Sequence, residues 1–203
     1  MVSLRRISDV LDSPRVYELW QTPFAAGKMR PLARHNHLPS IGRVLEVGCG
    51  PGTNAAYFDH THYVGLDFNP KYTEYARRRY GREFITADAR TYFPPPDVRY
   101  DCVLLNSFLH HIDDENTLAI LRRLRDVLSD DGRIHILDLI LPERASIARW
   151  LARHDRGDYP RSARHWRELL EQVFDAEIME PFAIGAPHVP LWQMFYFKGR
   201  PRR

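Results

Sequence analysis

The sequence predicts an α/β fold built on a doubly wound, mostly parallel sheet, and three observations carry that prediction. Short apolar runs alternate with helical stretches between about residues 43 and 139, the pattern of strands joined by crossover helices. One of them, Asp101 to Asn106, is apolar almost throughout, as expected of a strand covered on both faces. Acidic or amide residues close the runs (Glu46, Asp67, Asp88, Asn106 and Asp138), which places them at the carboxyl edge, where open α/β sheets bind ligands.

Taken in order, Ser13-Pro14 reads as an N-cap and first helical position. Val16, Leu19 and Trp20 follow at helical spacing, Thr22-Pro23 is expected to break the helix, and a second piece runs from Phe24 to Arg34. Arg43 to Val47 is the first strand, and a helix is expected from Gly52 to about Asp59. His62 to Asp67 is the second strand. Asn69-Pro70 caps a helix that stops at Gly81, a natural C′ residue. Glu83 to Ala89 gives strand three, and Thr91 to Arg99, with Pro94 to Pro96, is a loop. After strand four, Asp113 caps a helix whose stripe is Leu118, Leu121, Leu124, Val127 and Leu128. Asp131-Gly132 turns the chain into strand five, Arg133 to Leu139. Helical pieces at about 143–154 and 162–173 flank a polar loop, 155–161. Residues 177–184 and 191–198, joined at Gly185-Ala186-Pro187, form an antiparallel hairpin that closes the sheet. The 203 residues suit a single domain with one sizeable core: 1–40 helical, 41–141 the main sheet, 142–173 helical, and 174–203 the hairpin.

The densest signal is Val44-Leu45-Glu46-Val47-Gly48-Cys49-Gly50-Pro51-Gly52-Thr53, a strand running into a tight glycine turn. Closely spaced glycines allow positive φ and let a ligand lie against bare main chain. A dinucleotide fingerprint would need a third glycine where Thr53 stands. The carboxylate of Glu46 suits a ligand with positive charge and hydroxyls and repels a pyrophosphate. Asp67, 17 residues beyond Gly50 at the end of the next strand, is placed to accept hydrogen bonds from a ribose diol.

On Glu46 to Gly52, Asp67, Asp88 and the His110-His111 stretch after strand four, the chain resembles the class I S-adenosylmethionine-dependent methyltransferases. The resemblance covers about 44–139 well and the terminal hairpin loosely. It implies a Rossmann-like, seven-stranded sheet whose last pair is antiparallel, with the N-terminal helices as a lid over the cofactor. It implies that Gly48, Cys49, Gly50 and Gly52 line the methionine moiety and that Asp67 holds the ribose. Phe68 then lies beside the adenine, with Asp88 and Ala89 at its edge and Asn106 and Ser107 near the sulfonium. Glu46 fixes the turn or approaches the amino group. Tyr17, Gln21 and Lys28 of the lid are candidates for the methionine carboxylate or the substrate.

Methyl transfer from a sulfonium is an in-line displacement served mainly by alignment. A hydroxyl acceptor must also lose a proton, and a positioned histidine supplies that step. His110 and His111 are the candidates, and the sequence leaves open which one faces the pocket. A metal on the pair is disfavoured, because adjacent residues are expected to point apart and no third ligand is evident. Asp113-Asp114 fits a helix cap better than a magnesium site. Arg156 and Arg161 are candidates to clamp a carboxylate or phosphate of the substrate. Strand four ends in Asn106-Ser107-Phe108-Leu109, not the Pro-Pro-aromatic motif of enzymes that methylate exocyclic amines, which disfavours a nucleic-acid acceptor.

The leading expectation is therefore an S-adenosylmethionine-dependent enzyme methylating a small molecule, at oxygen before nitrogen or carbon. The alternatives are an RNA or protein methyltransferase and a cofactor-binding regulator without turnover. A net charge of +3 and the terminal Lys198, Arg200, Arg202 and Arg203 favour the first alternative. No apolar run approaches the ~20 residues of a membrane span. The N-terminus has no apolar signal core, and two cysteines without metal or redox spacing fit a reducing cytoplasm. Oligomeric state is not legible.

Overall fold

The computed structural model describes residues 14–154, 157–186 and 189–202, with side chains from 24 to 154, 157 to 185 and 190 to 202. One seven-stranded sheet organises the chain: β1 (Arg43–Val47), β2 (His62–Asp67), β3 (Glu83–Thr86), β4 (Tyr100–Asn106), β5 (Leu128–Leu139), β6 (Phe174–Ala186) and β7 (Val189–Pro201). Their order is β3-β2-β1-β4-β5-β7-β6. All neighbours are parallel except β5–β7 and β6–β7. The fold expected from the sequence is therefore the fold observed.

Alternation along the strands builds two cores. On one face Leu45, Val47, Val103, Leu105, Ile134 and Ile136 meet α3 (Asp114–Asp126) and α5 (Ala163–Leu170) through Ile120, Leu121, Leu124 and Trp166. On the other, Val44, Cys102 and Leu104 meet α1 (Pro14–His35) and α2 (Pro70–Tyr80) through Met29, Leu32 and Ala76. Neighbouring residues of β1 and β4 serve opposite cores, as the two-residue period of a strand requires. α2 follows its sequence signals closely. Asn69 Oδ1 accepts the Lys71 N–H, Pro70 opens the helix, and Gly81 closes it at φ 63°. α4 (Ile147–Arg153) is the short helix after β5.

Several boundaries differ from expectation. Thr22-Pro23 does not break the first helix, and α1 runs unbroken from Pro14 to His35 through both Pro23 and Pro31. A proline removes one intrahelical bond and bends the helix, and burial of Met29 and Leu32 offsets part of that cost. The segment after Gly52 is a 3₁₀ stretch, Thr53–Phe58, and not an α-helix. Strand three stops at Thr86, so Asp88 lies in the turn beyond it. Asp131-Gly132 forms no separate turn. β5 begins at Leu128, and its pairing with β4 shifts register between Tyr100 and Cys102. The helices after β5 are shorter than expected, and the hairpin strands are longer.

His135 marks where the hairpin locks onto the sheet. It is buried on β5, with Nδ1 2.9 Å from Tyr196 Oη, which also accepts from Asn36 Nδ2. Burial first, then the nearby charges of Lys198 and Arg133, push its imidazole down from 6.5 to about 3. Between those values the unfolded chain binds a proton that the folded chain refuses, so stability falls as the pH drops through this window. At pH 5 the loss is about 2 kcal/mol. Denaturant titrations at pH 7 and pH 5 should show the pH-induced loss shrinking by about that amount in His135→Gln. An unchanged difference would contradict a neutral buried His135.

Candidate functional site

The carboxyl edge of the sheet holds a small cleft between the β1 turn, the tip of β4 and α1. Gly48, Cys49 and Gly50 form one wall, Asn106 and Ser107 another, and Lys28 reaches in from α1. Gly48, Gly50 and Gly52 all have positive φ, at 72°, 54° and 81°. Gly48 is further constrained, because a Cβ there would lie 2.4 Å from the Phe108 ring. Gly52 is buried against Phe84 and Ala76 and supports the turn without lining the cleft.

Glu46 forms part of the cleft lining yet is only 1% exposed. Its two oxygens accept from Asn54 Nδ2 at 2.6 Å and from Tyr63 Oη at 2.5 Å. Burial pushes its carboxyl up from 4.5 to about 7, against the pull of those two donors. Asp67 accepts the N–H groups of Gly50 (2.8 Å) and Asn69 (2.9 Å), tying β2 to the glycine turn. Burial raises its carboxyl too, while the same two bonds draw it down. A carboxylate offers about four acceptor positions, so both acids keep capacity for a ligand.

Opposite the turn, Lys28 Nζ donates to Ser107 Oγ at 3.0 Å, and Asn106 Nδ2 donates to Met29 Sδ at 3.7 Å. Ser107 holds φ 55°, the left-handed region that residues other than glycine rarely occupy. Its N–H donates to the Leu137 carbonyl at 2.7 Å, which keeps the strand tip in that conformation. A carboxylate and an ammonium in one cleft match the charges of an α-amino acid.

The two histidines separate. His111 is exposed, whereas His110 is 3% exposed with Nδ1 2.6 Å from Asp138 Oδ1. Their rings do not point apart: on the 3₁₀ turn Leu109–His111 the centroids are 4.1 Å apart. Asp138 is fully buried, a condition that raises its carboxyl. The His110 imidazole and the N–H groups of Leu139 and Leu109 outweigh that and hold it below the usual range. An ionised Asp138 favours a proton on His110 Nδ1, which in the neutral imidazole leaves Nε2 as the accepting nitrogen. Neither histidine lines the cleft directly, although Ser107, three residues before His110, does.

Other expected residues lie apart. Phe68 is 74% exposed at the end of β2, and Ala89 is half-buried. Both oxygens of Asp88 accept from Arg90. Arg161 is buried and committed to the protein's own groups, so it is not the substrate clamp expected from its loop. The side chains of Tyr17, Gln21 and Arg156 lie outside the described residues. The terminal Lys198, Arg200 and Arg202 face Glu177 and Asp175 within 4 Å instead of forming an unopposed basic patch. Among the described residues, no group of three or more His, Cys, Asp or Glu is placed to hold a metal, and no helix is long and apolar enough to cross a membrane.

Sequence reasoning missed Asn54 and Tyr63, the partners of Glu46, and gave Asp138 no role. A signal existed for Asp138, since parallel pairing sets Asn106 opposite Leu137 and so brings the next residue beside the histidine turn. Nothing in the spacing points to Tyr63.

Residues 44–132 match the family described as "Methyltransferase domain". The chain is similar to a fatty-acid O-methyltransferase of Mycolicibacterium smegmatis, 45% identical over 69 residues, which are 30% of this chain and 25% of that protein. It therefore spans a quarter of that relative's length, and less than half of the next two curated relatives. The fold superposes on mitomycin 7-O-methyltransferase MmcR with TM-score 0.73 at 20% identity, over 95% of this chain and 60% of that one. It also superposes on the N-methyltransferase NodS of Bradyrhizobium japonicum WM9, solved with S-adenosyl-L-homocysteine. There the TM-score is 0.70 at 14% identity, over 89% of both chains.

The glycine geometry predicts a contrast. Gly48→Ala should cost roughly 2–4 kcal/mol, combining left-handed strain with the clash on Phe108. Gly81→Ala, also at positive φ but with open space at its Cβ, should cost about 1 kcal/mol. Urea unfolding of the two variants distinguishes them, and equal losses would contradict the packing of Phe108 on the turn.

Proposed function

Starting from residues 44–132 as a methyltransferase domain on the class I fold, we propose that this protein transfers a methyl group from S-adenosylmethionine to an oxygen of a small-molecule acceptor. The observation that carries the oxygen assignment is the buried Asp138–His110 pair just beyond the strand tip that lines the cleft. The cofactor supplies an electrophilic methyl group on a positively charged sulfur. Glu46 and Lys28 match its amino-acid end in sign, and the turn at Gly48, Cys49 and Gly50 presents bare main chain to it. Asp67 offers its remaining acceptor positions to the ribose hydroxyls. Phe68, Ala89 and Asp88 stand on the adenine side, and Asn106 and Ser107 on the methyl side.

Asp138 keeps the His110 proton on Nδ1, so Nε2 can take the proton of an acceptor hydroxyl as its oxygen attacks. A second carboxylate or a metal is not needed for that step. The pairing of the terminal basic residues with Glu177 and Asp175 supports a small molecule over a polyanion as acceptor. Two buried free thiols support a cytoplasmic setting.

The test is transfer of labelled methyl from S-adenosylmethionine to a panel of hydroxylated, carboxylic and amine acceptors. Oxygen methylation is expected, and with a hydroxyl acceptor His110→Gln should lower kcat by ~10²–10⁴ while cofactor affinity is kept. Methylation of amines alone, or full turnover by His110→Gln, would contradict the reading. Asp67→Ala should weaken S-adenosylhomocysteine binding by about tenfold or more, through loss of the diol bonds and loosening of the Gly50 turn. Unchanged affinity would remove Asp67 from the site.

A further inference from the structure

The loop 155–161 reads in sequence as a surface segment, yet its last residue is among the most buried charges in the protein. Arg161 is 3% exposed. Its Nε donates to Asp114 Oδ1 at 2.6 Å, and its Cζ lies 4.6 Å from the Trp166 ring centre. Nη1 donates to the Leu109 carbonyl at 3.0 Å and Nη2 to the Ile112 carbonyl at 2.6 Å. Those two carbonyls bracket the turn that carries His110. The carbonyl of His110 itself accepts the Tyr159 N–H at 3.0 Å.

The same segment covers the imidazole. A Cβ on Gly157 would stand 2.1 Å from His110 Cδ2 and 2.7 Å from its carbonyl oxygen, so only a glycine fits there. The other edge of the ring rests on Asp138, which also holds the Leu109 N–H at 2.8 Å. A ring flip about χ2 would exchange the Nδ1 and Cδ2 edges, setting a carbon against Asp138. The segment is in turn tied to the sheet, since Leu141 N–H donates to the Arg161 carbonyl at 2.8 Å. Burying a guanidinium is costly unless its donors are met. Here they are met largely by the backbone of the histidine turn.

We infer that Arg161 is a positioning residue, pinning the segment 157–161 over the Leu109–His111 turn and thereby holding His110 in the one ring orientation that keeps Nδ1 on Asp138. This rests on the reading of His110 as proton acceptor, and it assigns the polar loop to orienting that group instead of clamping the acceptor.

The experiment uses the full chain labelled with ¹⁵N-histidine, with imidazole correlations assigned to His110 by their loss in His110→Gln. Wild type should show a single His110 tautomer protonated at Nδ1. In Arg161→Lys, and in Asp114→Asn where a half-exposed partner is changed, that Nδ1 proton should exchange with water roughly tenfold faster or more and the tautomers should average. The His135 signals, from the same sheet, should stay as in wild type. Unaltered His110 signals in either folded variant would overturn the inference, and so would equal changes at His135, which would mean general loosening. If Arg161→Lys does not fold, Asp114→Asn decides. The readout needs no acceptor, so a wild type with a locked His110 and no methyl transfer would sink the proposed function and leave the clamp standing.

Discussion

Three carboxylates at the ends of parallel strands are buried, and a buried carboxylate is unstable unless donors surround it. That requirement shapes the carboxyl edge of the sheet. Glu46 draws in Asn54 from the turn and Tyr63 from β2. Asp67 draws in the N–H groups of Gly50 and Asn69. Asp138 draws in Leu109, Leu139 and the His110 ring. Asp67 and Asp138 fix the loop that follows a neighbouring strand, and Glu46 fixes the segment after its own strand to β2. The edge is therefore set before any ligand arrives, which is the preorganisation that a positioning-driven reaction needs.

Charge within the cleft follows from the same constraint. Glu46 is pushed to about 7 because its donors only partly offset its burial. A group raised in this way favours the fold below its unfolded value of 4.5, and that contribution fades as the pH rises through about 7. A cationic ligand group beside it favours the ionised form, so ligand binding and loss of the Glu46 proton support each other. Lys28 of α1 and the strained Ser107 it donates to face it from the opposite wall, and Met29 of α1 accepts from the adjacent Asn106.

What the sequence made legible was local. Asn69, Pro70 and Gly81 delimit α2 because capping and left-handed termination are properties of a few adjacent residues. Alternating apolar residues in β1 and β4 declare two covered faces, and the strand-end acids declare an edge. What stayed hidden depends on distant partners. Pro23 was expected to break a helix that tertiary packing carries through, and Arg161, in a polar heptapeptide, was a candidate to clamp the substrate but is buried. The backbone carbonyls of residues about fifty positions away, which a sequence pattern does not display, give that guanidinium its place. The histidine pair was visible, but which member is buried depends on Asp138 and Gly157, from two other segments.

The central claim is that this edge binds S-adenosylmethionine, and the most direct measurement is calorimetric titration with S-adenosylhomocysteine, with NADH and NADPH as controls. Saturable binding of S-adenosylhomocysteine with no heat from either dinucleotide is the predicted result. Binding of a dinucleotide in its place would mean that Glu46 and Asp67 do not repel a pyrophosphate. No binding of any of the three would leave the fold without the function assigned to it.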